Sequence, residues 1–163
     1  MDFAKMLDGC SDFECIFKVV KSAVKRTTGR GRVGLILGLS DLPNYIGAFH
    51  QLGSNFIIMN KNLLDRVLAS RNKGLINAYV FHILLHEYLH SLGHVNEQET
   101  QIITYAITEE ALGPEHPATK IARYGIAAVF SNIPRLEYRS YESGKKGIEI
   151  VKDFETDNLN YFG

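Results

Sequence analysis

The stretch His86-Glu87-Tyr88-Leu89-His90 constrains this chain more than any other part of its sequence. On an α-helix, His86 and His90 are separated by about 6 Å of rise and about 40° of rotation, so both imidazoles face the same side. One metal ion can therefore contact both rings. Glu87 projects to the side of this patch, where its carboxylate can take a proton from metal-bound water without being a ligand. The spacing predicts a helix that carries a metal site.

The residues around this motif predict a buried helix rather than a surface helix. An imidazole pair and a carboxylate inside such a helix are costly unless a metal ion or hydrogen bonds satisfy them. A core helix whose histidines bond only to the backbone is the alternative interpretation. The apolar positions, too broad a set for one helix face, are Tyr79, Val80, Ile83, Leu84, Leu85, Tyr88, Leu89 and Leu92.

The length of the chain predicts a single domain over residues 1–163, with a lobe at 1–93 that holds the motif and a mainly helical lobe at 94–163. Eighteen basic and eighteen acidic residues balance, so the net charge does not call for nucleic acid or an anionic membrane as a partner.

The chain starts without a basic leader and a long apolar run, and no later stretch reaches about 18 apolar residues. We therefore expect no membrane span and a cytoplasmic protein.

The two cysteines, Cys10 and Cys15, lie close together near the start of the chain. A disulfide between them would close a very small loop. We expect free, partly buried thiols, which agrees with a reducing compartment.

The predicted elements follow the order helix, strand, hairpin, short helix and motif helix. The first helix begins at a capping box, Ser11-Asp12-Phe13-Glu14, and stops at Gly29. The motif helix starts near Leu75 and ends at Gly93. The remaining predictions are a strand over 33–39, a hairpin over 45–50 and 55–60, a short helix from Asn62 through Val67, helices over 97–112 and 119–130, and a strand over 148–151.

With this motif and this order of elements, the chain resembles the N-terminal half of the zincin metallopeptidases over about residues 11–111. The resemblance implies an α+β, zincin-like fold, in which a small twisted mixed sheet packs on a backing helix and on the HExxH helix. It also implies a Zn2+ cofactor and a peptide or protein substrate, held extended by the hairpin at 45–60. Zinc-activated water would attack the peptide carbonyl, with Glu87 as the general base.

A catalytic zinc normally has three protein ligands and leaves one position to water. The HExxHxxGxxH pattern of the metzincin branch would place the third ligand at Asn96, a poor zinc donor. That branch also needs a methionine turn downstream, and the methionines lie only at positions 1, 6 and 59. His94 lies four residues beyond His90, which on a straight helix is a full turn past the metal.

The gluzincin branch takes a glutamate from the next helix, in an NExxSD-like setting that 96–101 resembles in shortened form. The resemblance implies Glu97 as the third ligand, with Gln101 in place of the family's aspartate. From the residues alone, Asn96 and Glu99 form a capping box and Glu97 is a favourable acid in the first turn. Three other ligand candidates stay open: His94, His116 and Glu99.

The same resemblance implies a histidine or tyrosine that binds the oxyanion, and His116 in the loop 113–117 is the candidate for this catalytic role. Two further functions stay open. One is a zinc-binding protein without peptide turnover. The other is a nucleic-acid-associated protease, similar to SprT-like proteases, that docks through a basic strip on the first helix, formed by Lys18, Lys21, Lys25 and Arg26. The sequence does not indicate an oligomeric state.

Overall fold

The computed structural model describes residues 2–137 and 147–155. Within these ranges the fold is α+β, as predicted, with six α-helices and one mixed four-stranded sheet. The helices are α1 (Phe3–Asp8), α2 (Phe13–Thr28), α3 (Lys61–Leu68), α4 (Lys73–Ser91), α5 (Glu97–Leu112) and α6 (Pro117–Tyr124). The strands are β1 (Ile36–Ser40), β2 (Ala48–His50), β3 (Phe56–Asn60) and β4 (Glu149–Ile150).

The sheet has the strand order β2-β3-β1-β4, which places β2 at one edge. Strand β1 runs parallel to β3, while β2 pairs antiparallel with β3 and β4 antiparallel with β1. The predicted hairpin is therefore confirmed as β2 and β3. The strand predicted over 33–39 begins only at Ile36, because Gly34 has a φ of 89° and Val33 is exposed.

Helix α4 is the centre of the fold. Its N-terminus is capped by Asn72, whose side chain accepts a hydrogen bond from the Leu75 N–H at 3.1 Å. It contacts each of the other five helices as well as β2 and β3. Every residue over 77–90 is buried. The prediction of a buried motif helix is confirmed, and the burial follows from neighbours on all sides.

The loop after α2 closes the C-terminal end of α4. The Arg30 guanidinium donates to the Leu92 carbonyl at 2.5 Å, and the Arg32 guanidinium donates to the Ser91 carbonyl at 3.0 Å. The last carbonyls of a helix lack intrahelical partners and carry partial negative charge, so two cations stabilise this end. The Arg32 N–H also donates to the Tyr88 hydroxyl at 3.0 Å. These arginines hold the end of α4 that carries His90.

Several helix starts differ from the prediction by one or two residues, and α4 begins at Lys73 rather than near Leu75. Helix α2 is capped by Asp12 rather than Ser11, and the Asp12 carboxylate accepts from the Cys15 N–H at 2.8 Å. Helix α3 is capped by Asn60, the last residue of β3, instead of starting at Asn62. The predicted stop of α2 at Gly29 is confirmed, with the glycine in the left-handed conformation.

The expectation of free thiols is wrong, because Cys10 and Cys15 form a disulfide. The short helix α1, which the sequence did not predict, turns back into α2 and brings the two Cα atoms to 5.5 Å, within the range that a disulfide spans. The Asn77 side-chain amide of α4 donates to the carbonyls of Leu7 and Cys10 and anchors this turn. The argument for a reducing compartment from these cysteines therefore no longer holds.

The C-terminal half differs most from the prediction. The helix predicted over 119–130 runs instead over Pro117–Tyr124, and a 3-10 turn at Ile126–Ala128 follows Gly125, which has a φ of 95°. Of the strand predicted over 148–151, Glu149 and Ile150 pair with β1. Of residues 153–163, only 153–155 belong to the described part of the chain.

Among the described residues, no helix combines the length and the apolar character needed to cross a bilayer.

Candidate metal centre

Helix α4 holds His86, Glu87 and His90 in a buried position near its C-terminal end. The three residues are 2%, 6% and 8% exposed, respectively. The two histidine rings are 4.8 Å apart between centroids, and their Nε2 atoms are 3.2 Å apart. The spacing of four residues therefore places both Nε2 atoms at one point, as predicted.

Glu97 reaches the same point from the first turn of α5. Its Oε2 lies 3.1 Å from His86 Nε2, and its Oε1 lies 2.6 Å from His90 Nε2. The Asn96 side chain caps α5 by accepting from the Glu99 N–H at 2.9 Å. The predicted cap at Asn96 is confirmed, and Glu97, the ligand that the resemblance implies, follows it directly and faces α4.

A Schellman turn joins the two helices. The Gly93 N–H donates to the His90 carbonyl at 3.0 Å, and the His94 N–H donates to the Leu89 carbonyl at 3.2 Å. Gly93 has a φ of 106°, which a residue with a Cβ rarely adopts. This turn ends α4 and returns the chain within a few residues, so the short link between His90 and Glu97 is long enough.

The backbone of this turn also orients His90. The His94 carbonyl is the hydrogen-bond partner of His90 Nδ1 and also accepts from the Thr100 hydroxyl at 3.2 Å. A histidine whose Nδ1–H is held by a carbonyl presents its Nε2 lone pair to a metal, and such partners fix the ring orientation. His94 thus contributes its carbonyl to the site, and its ring is not in the ligand group.

The ligand atoms of His86, His90 and Glu97 all lie within 4.8 Å of one another and can hold a metal ion. Ligand atoms around a tetrahedral zinc with bonds of about 2.0–2.1 Å are about 3.3–3.4 Å apart. The separations of 3.2 Å and 3.1 Å are close to this value, whereas the separation of 2.6 Å is that of a direct hydrogen bond. Two imidazoles and one carboxylate suit zinc and several other transition ions, so the geometry supports a metal site and leaves the metal open.

The charges of the three groups favour an ionised carboxylate between the rings. Burial acts to raise the pKa of Glu97, but hydrogen bonds to His86 and His90 outweigh it and lower the pKa to about 2. Burial acts to lower the pKa of His90, yet the bond to Glu97 and the charges of Glu87 and Glu97 raise it. Glu97 is therefore a carboxylate at neutral pH, which is the form that binds a cation.

Glu87 lies beside the ligand group without belonging to it. Burial, the largest effect, raises the pKa of Glu87, while the charges of His86 and His90 and a hydrogen bond from the His50 N–H oppose the increase. The His50 N–H of β2 thus faces the Glu87 carboxylate. A carboxylate fixed next to a metal site can accept a proton and later release it.

His50 is the residue at this site that the sequence did not indicate. It lies in the edge strand β2, and its N–H can reach Glu87 because it points away from β3. The Asn60 N–H donates to the Gly47 carbonyl at 2.8 Å, so Gly47 and Phe49 pair with β3, while Ala48 and His50 direct their backbone groups outwards. Burial, the largest effect, lowers the pKa of the His50 ring. The bond with the Ser54 carbonyl partly offsets this decrease, and the charge of Arg32 adds to it.

His116, the predicted oxyanion group, is not brought to this cluster. Its Nε2 lies 3.0 Å from an Asp8 carboxylate oxygen, and its Nδ1 accepts from the Ala118 N–H at 3.1 Å, so the ring caps α6. Glu99 is exposed at the surface of α5. Both residues lie outside the metal-ligating group.

The basic strip on α2 is engaged within the chain. Lys18 pairs with Glu14 at 3.0 Å, and Lys21 pairs with Glu155 at 3.1 Å. The Lys25 ammonium donates to the Gly29 carbonyl at 2.9 Å. The Arg26 guanidinium lies over the Phe3 ring at 4.4 Å. Each of the four basic side chains therefore has a partner within the chain, and a nucleic-acid contact at this strip stays a prediction.

Comparisons with protein-family models, with curated proteins and with solved structures found no match to this chain. The candidate site therefore rests on the chain's own geometry: two imidazoles and a carboxylate converge on one point, with a second buried carboxylate beside them.

Proposed function

We propose that this chain is a zinc-dependent peptidase of the zincin type. The observation that carries the proposal is that two carboxylates at one buried site hold different positions. Glu97 lies between His86 and His90, where it would be the third ligand, while Glu87 lies beside this group and faces the His50 N–H. A metal site with three protein ligands and a separate acid-base group is the arrangement that hydrolyses peptide bonds with activated water.

Bound zinc would supply an activated water molecule and polarise the scissile carbonyl. His86 and His90 would hold the ion through Nε2, and the His94 carbonyl keeps the His90 ring in the required orientation. The Glu87 carboxylate takes the proton that the water loses as it attacks the carbonyl carbon. The same carboxyl group then delivers the proton to the leaving amine. Burial of Glu87 excludes bulk water from this transfer.

The outer edge of β2 is where we place the substrate backbone. Ala48 directs its N–H and carbonyl away from β3, and His50, two residues on, contacts Glu87 from the same edge. An extended peptide that pairs with this edge by strand addition lies next to the general base. Hydrogen bonds to the main chain hold such a peptide whatever its side chains are.

Elemental analysis and a peptide-cleavage assay test the proposal together. We expect about one zinc per chain in the wild type, and loss of both zinc and cleavage in His86→Ala and Glu97→Ala. Glu87→Gln should keep zinc and lose at least about a hundredfold in kcat, because a positioned acid-base group contributes that much or more. Glu99→Gln is the matched control, since Glu99 is an exposed acid in the same helical turn.

Three outcomes refute parts of this scheme. Zinc retained in Glu97→Ala would remove Glu97 from the ligand set. Full cleavage in Glu87→Gln would exclude Glu87 as the general base. Zinc bound at one per chain, with no cleavage of any member of a broad peptide library, would favour a zinc-binding protein without peptide turnover.

A further inference from the structure

A cavity opens one helical turn away from the metal centre. Its volume is about 880 Å³, and its wall includes His82 of α4 and Gln101 of α5. His82 precedes the ligand His86 by four residues, and Gln101 follows the ligand Glu97 by four. Four helical residues span about 6 Å along the axis and return to nearly the same face. The cavity therefore borders the ligand group on both helices.

Two arginines make this cavity cationic. Arg123 lies in the last turn of α6, and Arg135 lies in the segment after the 3-10 turn; both line the cavity and both are exposed. Arg123 contacts the Tyr105 hydroxyl at 3.5 Å and stacks near the Tyr124 ring, with its guanidinium carbon 5.2 Å from the centroid. Among the ion pairs between described residues, neither guanidinium takes part. Glu137 also lines the wall, and it has an interaction of its own.

We infer that this cavity is a substrate subsite that binds a carboxylate of the peptide near the scissile bond. Arginine presents a rigid fork of donors that matches a carboxylate, and such charge-assisted hydrogen bonds are stronger than neutral ones. Arg123, Arg135 and Glu137 are the charged residues that line the cavity, and Glu137 already has an interaction of its own. The charge that the cavity offers to a bound anion is therefore positive. The carboxylate is either an Asp or Glu side chain or the free C-terminus of a short peptide. The inference rests on the proposed peptidase function for its substrate class.

Binding measured without turnover tests this subsite. Zinc-loaded Glu87→Gln protein is titrated with short labelled peptides, and fluorescence anisotropy reports the Kd. One set of peptides replaces Gln with Glu at each position in turn, and a second set compares a free C-terminal acid with its amide. At one position, or at the C-terminus, we expect the acidic form to bind at least about tenfold more tightly. The set that shows the difference identifies the source of the carboxylate.

Arginine variants separate the subsite from the metal, since a carboxylate can also coordinate zinc. In Arg123→Gln/Arg135→Gln the acidic peptide should bind no better than its neutral partner. The matched control is Lys61→Gln/Arg71→Gln, which removes two exposed cations outside the cavity and should keep the preference. Equal binding of acidic and neutral peptides to the parent protein would overturn the inference. A preference that survives the loss of both arginines would overturn it as well.

The binding result and the peptidase result can fail separately. A protein that cleaves peptides but shows no acidic preference retains the proposed function and loses the subsite. A protein that prefers acidic peptides through Arg123 and Arg135, yet cleaves none, retains the subsite and loses the peptidase function.

Discussion

The buried ring of His82 predicts a specific loss of stability in mild acid. Burial, and to a lesser extent the nearby charge of His86, lowers the pKa of His82 from 6.5 to about 3. The folded chain therefore keeps this ring neutral at pH 5, while the unfolded chain protonates it. Because the unfolded state binds more protons between pH 6.5 and 3, the free energy of unfolding falls as the pH falls through this range.

The size of the effect follows from the two pKa values. Between pH 7.5 and pH 5, a group with a pKa of 6.5 when unfolded and about 3 when folded costs roughly 2 kcal/mol of stability. For a chain of this length, about 1 kcal/mol corresponds to about 2–4 °C in Tm. The contribution of His82 is therefore about 4–8 °C in Tm over this change of pH.

Thermal unfolding of wild type and His82→Gln at both pH values measures this contribution. The experiment is done in excess chelator, so that release of metal in acid does not add to the change. The variant has its own cost at pH 7.5, but its Tm should fall by about 4–8 °C less than that of the wild type on going to pH 5. Equal falls for both proteins would show that His82 is protonated in the folded state, which would refute the buried neutral ring.

Three further predictions concern the supports of the site. Replacing Cys10 and Cys15 by serine should lower the free energy of unfolding by about 2 kcal/mol, because the unfolded chain regains the entropy that a short closed loop removes. The Tm should fall by about 4–8 °C, and an unchanged Tm would show that the disulfide does not form. Glu155→Gln should lower the free energy of unfolding by about 3 kcal/mol in a denaturant titration, because this buried carboxylate pairs with Lys21 and accepts from the Leu35 N–H at 2.8 Å. A decrease below about 0.5 kcal/mol would contradict the pairing. Gly93→Ala should lower zinc affinity as well as Tm, because Gly93 has a φ of 106° and forms the turn that presents Glu97. Gly53 has a φ of 79° in the hairpin, so Gly53→Ala should lower Tm alone. Equal zinc affinity in the two glycine variants would show that the turn at Gly93 does not support the metal site.

The parts of the site that the sequence predicted are those set by local geometry. Helical spacing alone places His86 and His90 on one face, and a capping residue at Asn96 starts the next helix where Glu97 can turn inwards. Both effects act within a few residues along the chain. Gly93 gave the end of α4 for the same reason, because a left-handed residue after a helix closes a Schellman turn locally.

The parts that the sequence missed depend on contacts between distant segments. The approach of the His50 N–H to Glu87 requires the register of β2 on β3, which alternation alone does not specify for a three-residue strand. The cavity requires α6 and the segment after it to pack beside α4. A pattern within one segment contains no information about either arrangement.

The buried side of helix α5 combines threonines with apolar residues. Ile102 is 62% exposed, although it is apolar. The buried residues of the helix are Thr100, Thr104, Ile107, Thr108 and Leu112. The threonine hydroxyls donate to backbone carbonyls, with Thr104 and Thr108 each bonded four residues back at 2.7 Å, so burial leaves no donor unsatisfied.

Thr100 also explains how so short a link can place Glu97 beside both imidazoles. Its hydroxyl donates to the Asn96 carbonyl at 2.8 Å within α5 and lies 3.2 Å from the His94 carbonyl, the group that orients His90. The turn, this threonine and the candidate ligands at the two ends of the turn therefore form one connected unit. The positions of the candidate ligands thus depend on the start of α5 as much as on the motif itself.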